Sequence, residues 1–178
     1  MNKMTKVKYL AYTSILSAVT IILTLISNSI VIGGISINLG LIAIILAGIL
    51  VGPLSGAFVG LINGAFALLS AQAFFAISPL GTVLVCLLKT SVAGLVCGLI
   101  YRLLKNKNEL VAIIVSAMLV PIINTSLFIV GSLIFFNGAF GNLISLFVSI
   151  NFGVELLVNA VLIPTIIKVI KIIKKWEA

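Results

Sequence analysis

Histidine and aspartate are both absent from the sequence, and only three acidic residues occur in the whole chain. The chain therefore lacks the residues of most zinc sites, of the serine–histidine–aspartate triad and of aspartate-based ATPase motifs. The phosphate-binding pattern GxxxxGK(S/T) does not occur either. These absences argue against an enzyme, so we predict no catalytic activity and no metal or cofactor site.

Cysteine is scarce as well, with Cys86 and Cys97 as the two examples. They lie too far apart along one predicted helix to form a disulfide within it. Because a free cysteine behaves as a small hydrophobic residue, we predict that both belong to the core.

Charged residues make up only 8% of the chain, whereas hydrophobic residues make up 62%. A soluble domain of this size has no room to bury so much apolar surface. We therefore predict an all-α, multi-pass membrane protein with a single domain over residues 1–178. Its location is expected to be the cell membrane, with the lipid bilayer around most of its surface.

The net charge of +8 comes from basic residues that cluster beside apolar segments. The clusters lie at residues 3–8, 102–107 and 168–175. This distribution is the positive-inside pattern of membrane proteins, so we predict that all three clusters, and hence both termini, are cytoplasmic. Contact with anionic lipid headgroups is a further expectation, and nucleic acid is not expected as a partner.

Apolar segments separated by short turn-like stretches predict a bundle of six transmembrane helices. The predicted spans cover residues 7–27, 37–51, 54–71, 79–104, 110–136 and 146–174. An even number of spans agrees with two cytoplasmic termini. The loops expected on the outer side are 27–36, 70–79 and 136–145.

Two stripes of small residues predict close packing between helices, because small side chains let two backbones approach. The first stripe repeats every four residues across the second and third spans and consists of Gly48, Gly52, Gly56, Gly60 and Gly64. The second lies in the fourth span and consists of Thr90, Gly94 and Gly98.

Lys89 and Glu155 are the only charges well inside the predicted spans, each roughly 15 Å from the outer end. A lysine at the centre of a membrane helix costs about 2.5–3.5 kcal/mol, so we expect these opposite charges to lie together. Asn151 and Asn159 share the helical face of Glu155, because all three are spaced by four. Asn124, near the middle of the fifth span, adds to the same polar layer.

Two interpretations of this polar layer remain open. Lys89 and Glu155 either form a buried ion pair that only sets the helix register, or they form the floor of a ligand pocket. Leucines at both positions would serve a purely structural role as well, so retained charges favour a polar ligand. Gln72 and the aromatic residues of the 70–79 loop either border this ligand or lie in the interfacial aromatic belt.

The order and spacing of these features resemble the substrate-binding S components of energy-coupling factor (ECF) vitamin transporters. The resemblance covers nearly the whole chain. It includes Ser14-xxx-Ala18 in the first span, the proline–basic–small pattern of the fourth, and the segments LAGILVGPLSGAFVGLING (46–64), PIINTSLFIVG (121–131) and NFGVELLVNAVLIP (151–164). The pantothenate-like branch is nearest, while riboflavin, folate and cobalamin members share the general pattern.

The resemblance implies the membrane-embedded, substrate-binding subunit of an ECF-type ABC importer, without an ATPase of its own. A transmembrane coupling subunit and two cytoplasmic ATPases would drive uptake of a water-soluble vitamin. The family's site lies in the outer half of the bundle, so the expected substrate-binding residues are Lys89, Asn124, Glu155, Asn151, Asn159 and Gln72. The expected docking face for the coupling subunit is Ala11, Ser14 and Ala18, with Ser14 where the family usually has alanine.

Two other function classes remain as alternatives. A non-transporting membrane scaffold or assembly subunit would need the glycine stripes but not the polar layer. A self-sufficient secondary transporter would be supported by internal repeats, which the sequence does not show.

Overall fold

The computed structural model describes residues 6–29, 38–136 and 152–168, and all secondary structure within these ranges is helical. The helices are α1 (Lys6–Ser29), α2 (Gly40–Leu46), α3 (Pro53–Ala67), α4 (Gln72–Phe75), α5 (Pro79–Leu104), α6 (Glu109–Phe135) and α7 (152–168). A π-helical turn, Ala47–Val51, continues α2, and a 3₁₀ turn, Leu68–Ser70, continues α3. The prediction of an all-helical fold is confirmed for these residues.

Four of the described helices have the length and hydropathy of membrane spans: Lys6–Ser29, Pro53–Ser70, Pro79–Leu104 and Glu109–Phe135. The bounds of α5 agree with the predicted fourth span for a local reason. The Ser78 hydroxyl accepts a hydrogen bond from the Gly81 N–H at 3.2 Å, and Pro79 occupies the first turn. Asn108 caps α6 in the same way, accepting from the Val111 N–H at 3.2 Å.

The second span differs from its prediction over 37–51, because α2 begins only at Gly40. Its seven α-helical and five π-helical residues rise roughly 18 Å, against about 30 Å of hydrocarbon in a bilayer. The helical segment is therefore shorter than the hydrocarbon core, although it leads from Asn38 at one end of the bundle to Gly52 beside Arg102 at the other. Leu41, Ile44 and Ile45 are completely buried, and α2 contacts α1, α3, α5 and α6. It forms the centre of the described bundle.

Gly52 makes the predicted tight turn between α2 and α3. Its φ of 145° lies in a region that side chains disfavour, and Pro53 then starts α3. A Cβ at this position would also overlap the Arg102 guanidinium. The π-helical turn and this glycine together reverse the chain within a few residues.

Helices α3 and α5 lie backbone against backbone, which confirms the packing predicted from the two stripes of small residues. A Cβ on Gly56 would overlap the carbonyl oxygen of Gly94, and one on Gly60 would overlap that of Thr90. The Ser91 hydroxyl also donates to the Ala57 carbonyl at 3.1 Å. Any larger side chain at these glycines would separate the helices.

Helix α1 turns a row of hydroxyl groups toward the bundle. The buried residues of α1 are Thr13, Ser17, Thr20, Thr24 and Ser27. The exposed side carries apolar residues suited to lipid, and it also includes Ala11, Ser14 and Ala18. The small face predicted for docking is therefore not used for packing within the described bundle.

The predicted outer loop 70–79 is partly helical, since it contains the end of the 3₁₀ turn and α4. Cys86 and Cys97 are both buried, as predicted. Residues 1–5, 30–37, 137–151 and 169–178 lie outside the described residues, and with them the predicted loop 136–145 after Phe136 and the predicted site residue Asn151.

Candidate functional site

Most buried polar contacts gather at one end of the bundle. Helices α1, α3 and α6 end there, and α2, α5 and the described part of α7 begin there. The short helix α4 also lies at this end, where Phe74 contacts Phe128 and Phe136 of the α6 segment. The opposite end carries Arg102 and the basic turn that follows α5.

Asn38, two residues before α2, is the centre of a polar cluster at this end. Its backbone N–H donates to the Glu155 carboxylate at 3.1 Å, and its side-chain oxygen accepts from the Gly40 N–H at 3.1 Å. Its side-chain nitrogen lies 3.4 Å from the Asn63 side-chain oxygen. The start of α2 is thereby held by α3 and α7.

The cluster extends to α1 through Asn63, which is completely buried. The Asn63 amide donates to the Thr24 hydroxyl at 2.7 Å, and the Ser27 hydroxyl accepts from the Leu39 N–H at 2.9 Å. Buried polar groups in a membrane bundle need such partners, because lipid offers none. The cluster therefore positions α2 between its neighbours.

Sequence reasoning missed Asn38, Thr24 and Ser27 as members of this polar cluster. The hydroxyls of α1 did carry a signal, since Thr20, Thr24 and Ser27 recur at helical spacing in an apolar span. Asn38 gave no such indication in the sequence, because a single asparagine near glycines is typical of any turn.

Lys89, half-buried on α5, lies against aromatic rings rather than against an acid. Its ammonium nitrogen is 5.0 Å from the centroid of the Phe128 ring, a cation–π contact. Phe128 in turn meets Phe74 edge-on, with ring centroids 5.7 Å apart. Helix α4 thus contributes an aromatic ring to the surroundings of Lys89.

The expected direct ion pair between Lys89 and Glu155 is not formed in the part of the chain that the structure describes. Glu155 is only 6% exposed, and its carboxylate bonds to the Asn38 backbone. That N–H lies just before a helix and has no intrahelical partner, so it competes for the carboxylate. Lys89 is still near enough to act on Glu155 electrostatically.

Asn124 and Asn159 are both buried, and their side-chain oxygens have no hydrogen-bond partner within the described ranges. Asn124 lies one helical turn from Phe128, and Asn159 lies one turn from Glu155. The fold thus places Lys89 and Glu155 in one region but does not join them to either asparagine by hydrogen bonds. Gln72 is exposed on α4, and Asn151 lies outside the described residues.

The polar and aromatic groups at this end of the bundle have a chemistry suited to binding a ligand. In the described ranges, no three residues of the His, Cys, Asp and Glu types are grouped so that they could hold a metal ion. The chemical features present are one ammonium group, aromatic faces and amide oxygens in an apolar bundle. Such a combination recognises a polar organic molecule through charge, stacking and hydrogen bonds.

A comparison of the sequence with models of protein families identifies the family of this chain. The family model described as "ECF transporter, substrate-specific component" matches residues 8–170. The chain belongs to this family. The resemblance seen in the sequence is thus confirmed, and this S component is a membrane protein that serves as the substrate-binding subunit of an ECF importer, not an enzyme. Neither the comparison with curated proteins nor that with solved structures gives a significant match.

Proposed function

We propose that this S component captures a water-soluble vitamin from outside the cell, with a pantothenate-like vitamin as the first candidate and riboflavin, folate and cobalamin as the others. The observation that carries the proposal is the polar and aromatic end of the bundle, where Lys89 lies over Phe128. In an otherwise apolar membrane protein, an ionisable group of this kind marks a substrate position. Asn124, Glu155 and Asn159 complete the proposed pocket, and Gln72 and Asn151 are the further proposed binding residues.

The proposed topology has six spans in the cell membrane, with both termini in the cytoplasm and the polar end facing outward. It is supported by the direction of α5, which begins at the polar end and leads to Arg102 at the other. Basic residues favour the cytoplasmic side, so the polar end is the outer one. A vitamin arriving from outside would then meet the pocket first.

The proposed partners are a transmembrane coupling subunit and two cytoplasmic ATPases. The small face of α1 supports the first of these, because Ala11, Ser14 and Ala18 are exposed along the helix. A second helix can approach such a face closely. ATP hydrolysis by the partners would then drive release of the vitamin into the cytoplasm.

Separate measurements of vitamin binding and of vitamin uptake test this function. The purified protein should bind one vitamin tightly in a titration against pantothenate, riboflavin, folate and cobalamin. Native mass spectrometry of the untreated protein should show the same vitamin if it copurifies. In proteoliposomes, uptake should require the coupling subunit and both ATPases. A protein that binds no vitamin, or that transports without ATPases, contradicts the proposal.

A further inference from the structure

The Lys89 ammonium has no carboxylate partner among the described residues, although it is half-buried in a membrane helix. The sequence offers few candidates, since its acidic residues are Glu109, Glu155 and Glu177. Glu109 opens α6 at the opposite end of the bundle, and Glu177 lies near the end of the sequence. Only Glu155 is near, and its carboxylate bonds to the Asn38 backbone.

The Phe128 ring does not replace an anion. A cation–π contact attracts the ammonium but leaves its positive charge unneutralised. A lysine charge inside a membrane protein is expected to meet an opposite charge or water. Because the nearby Glu155 carboxylate bonds to the Asn38 backbone, a bound molecule is a further source of negative charge for Lys89.

We infer that the substrate carries a carboxylate that pairs with Lys89, with the adjoining part of the molecule against the Phe128 and Phe74 rings. The inference rests on the proposed function and narrows its substrate class. Guanidinium- or ammonium-bearing vitamins would meet repulsion at Lys89, and uncharged ones would leave its charge unpaired.

A second group of the substrate follows from Asn124. This residue is buried, lies one turn from Phe128 on α6, and has a side-chain oxygen without a hydrogen-bond partner in the described ranges. We therefore expect the substrate also to carry a hydroxyl or amide N–H that donates to this oxygen.

The first experiment measures the thermal shift of the purified protein in detergent with six vitamins. Pantothenate, biotin and folate carry a carboxylate, whereas riboflavin, thiamine and cobalamin do not. The inference expects the largest shift with one of the first three. A largest shift with one of the other three overturns the inference but leaves the proposed function standing. No shift with any vitamin overturns the proposed function, and the inference falls with it.

The second experiment compares the preferred acid with its neutral analogue, for example pantothenate with pantothenol or biotin with biotinamide. Loss of a charge-assisted hydrogen bond corresponds to about a ten- to hundredfold weaker dissociation constant. We expect the acid to bind at least tenfold more tightly than the neutral analogue. Equal binding of the two by the unaltered protein overturns the inference without any substitution.

Lys89→Gln should reduce this preference to about threefold or less, and Lys89→Arg should retain most of it. Lys107→Gln is the matched control, because it removes the same charge from the exposed turn after α5. A Lys89→Gln protein that keeps the full preference for the acid overturns the assignment of Lys89. If Lys89→Gln does not fold, the comparison of acid and neutral analogue on the unaltered protein still decides.

Discussion

Glu155 and Asn38 lie 117 residues apart in the chain and meet at the start of α2. The carboxylate satisfies a backbone N–H that the helix itself leaves without a partner. The Lys89 ammonium instead lies over the Phe128 ring of α6, which contacts Phe74 of α4. At the scale of single residues, the two charges therefore have different contacts: the Glu155 carboxylate bonds to the start of α2, and the Lys89 ammonium lies over the Phe128 ring.

A substitution at Glu155 distinguishes this role from a simple ion pair. Glu155→Gln keeps an oxygen that accepts from the Asn38 N–H, whereas Glu155→Leu removes it. An unsatisfied buried donor costs about 1–3 kcal/mol, so the leucine variant should lose that much more stability than the glutamine variant. Thermal unfolding in detergent measures the difference. Equal losses in both variants would favour the ion-pair interpretation, since both remove the negative charge.

At the scale of elements, α2 is the unusual helix. Its helical part is shorter than the hydrocarbon core of a bilayer, and its side chains form the most completely buried part of the described bundle. Discontinuous helices of this kind occur in transporters where backbone ends line a polar region. Here the hydrogen bonds from Asn38 and Leu39 to neighbouring helices hold that end in place.

The interface between α3 and α5 offers a direct test of backbone packing. Gly56→Ala and Gly60→Ala would each push a Cβ into a carbonyl oxygen of α5, and overpacking of this kind typically costs about 1–3 kcal/mol. Gly153→Ala on α7 is the control, because its Cβ would meet no atom within 4 Å. Unfolding temperatures of the three variants check the prediction. A Gly153 variant as unstable as the other two would contradict the packing explanation.

At the scale of the whole molecule, α1 has one face that packs into the bundle and another that is exposed. The hydroxyl face joins the bundle through contacts such as Thr13 with Ser55 at 2.8 Å and Asn63 with Thr24. The opposite face exposes small residues and apolar chains. Binding of substrate and docking of a coupling subunit are therefore proposed to use different parts of the protein.

Bulky substitutions on α1 test whether substrate binding and docking of the coupling subunit use different parts of the protein. Ser14→Trp and Ala18→Trp should abolish uptake while leaving the affinity for the vitamin unchanged, because the proposed pocket lies on other helices. Val19→Trp adds similar bulk at an exposed position on another side of α1 and should transport normally. Uptake by the reconstituted importer and binding by the isolated subunit are the two measurements. Normal uptake by both small-face variants would exclude this face as the docking site.

The orientation in the membrane is tested by cysteine labelling in intact cells. A cysteine introduced at Asn137 should react with a membrane-impermeant maleimide, whereas one at Asn106 should react only after permeabilisation. The native Cys86 and Cys97 are buried, so they serve as an internal background. Labelling at Asn106 from outside would contradict the proposed six-span topology.

Several features of this protein followed from the sequence by itself, because they depend on local or periodic properties. Hydropathy determined the membrane class, and the Ser78 cap with Pro79 determined where α5 begins. The four-residue glycine repeat predicted close packing between helices, since small residues on one face allow close backbones. The order of the motifs along the chain indicated the family.

Other features were decided only by the tertiary structure. The length of α2 and its π-helical turn depend on neighbours that bury it from all sides. The partner of Glu155 depends on which donor from a distant segment comes nearest, and hydropathy carries no information about that choice. A charge pattern can show that Lys89 and Glu155 share a depth, but only the packed helices determine that the carboxylate bonds to Asn38 and the ammonium lies over Phe128.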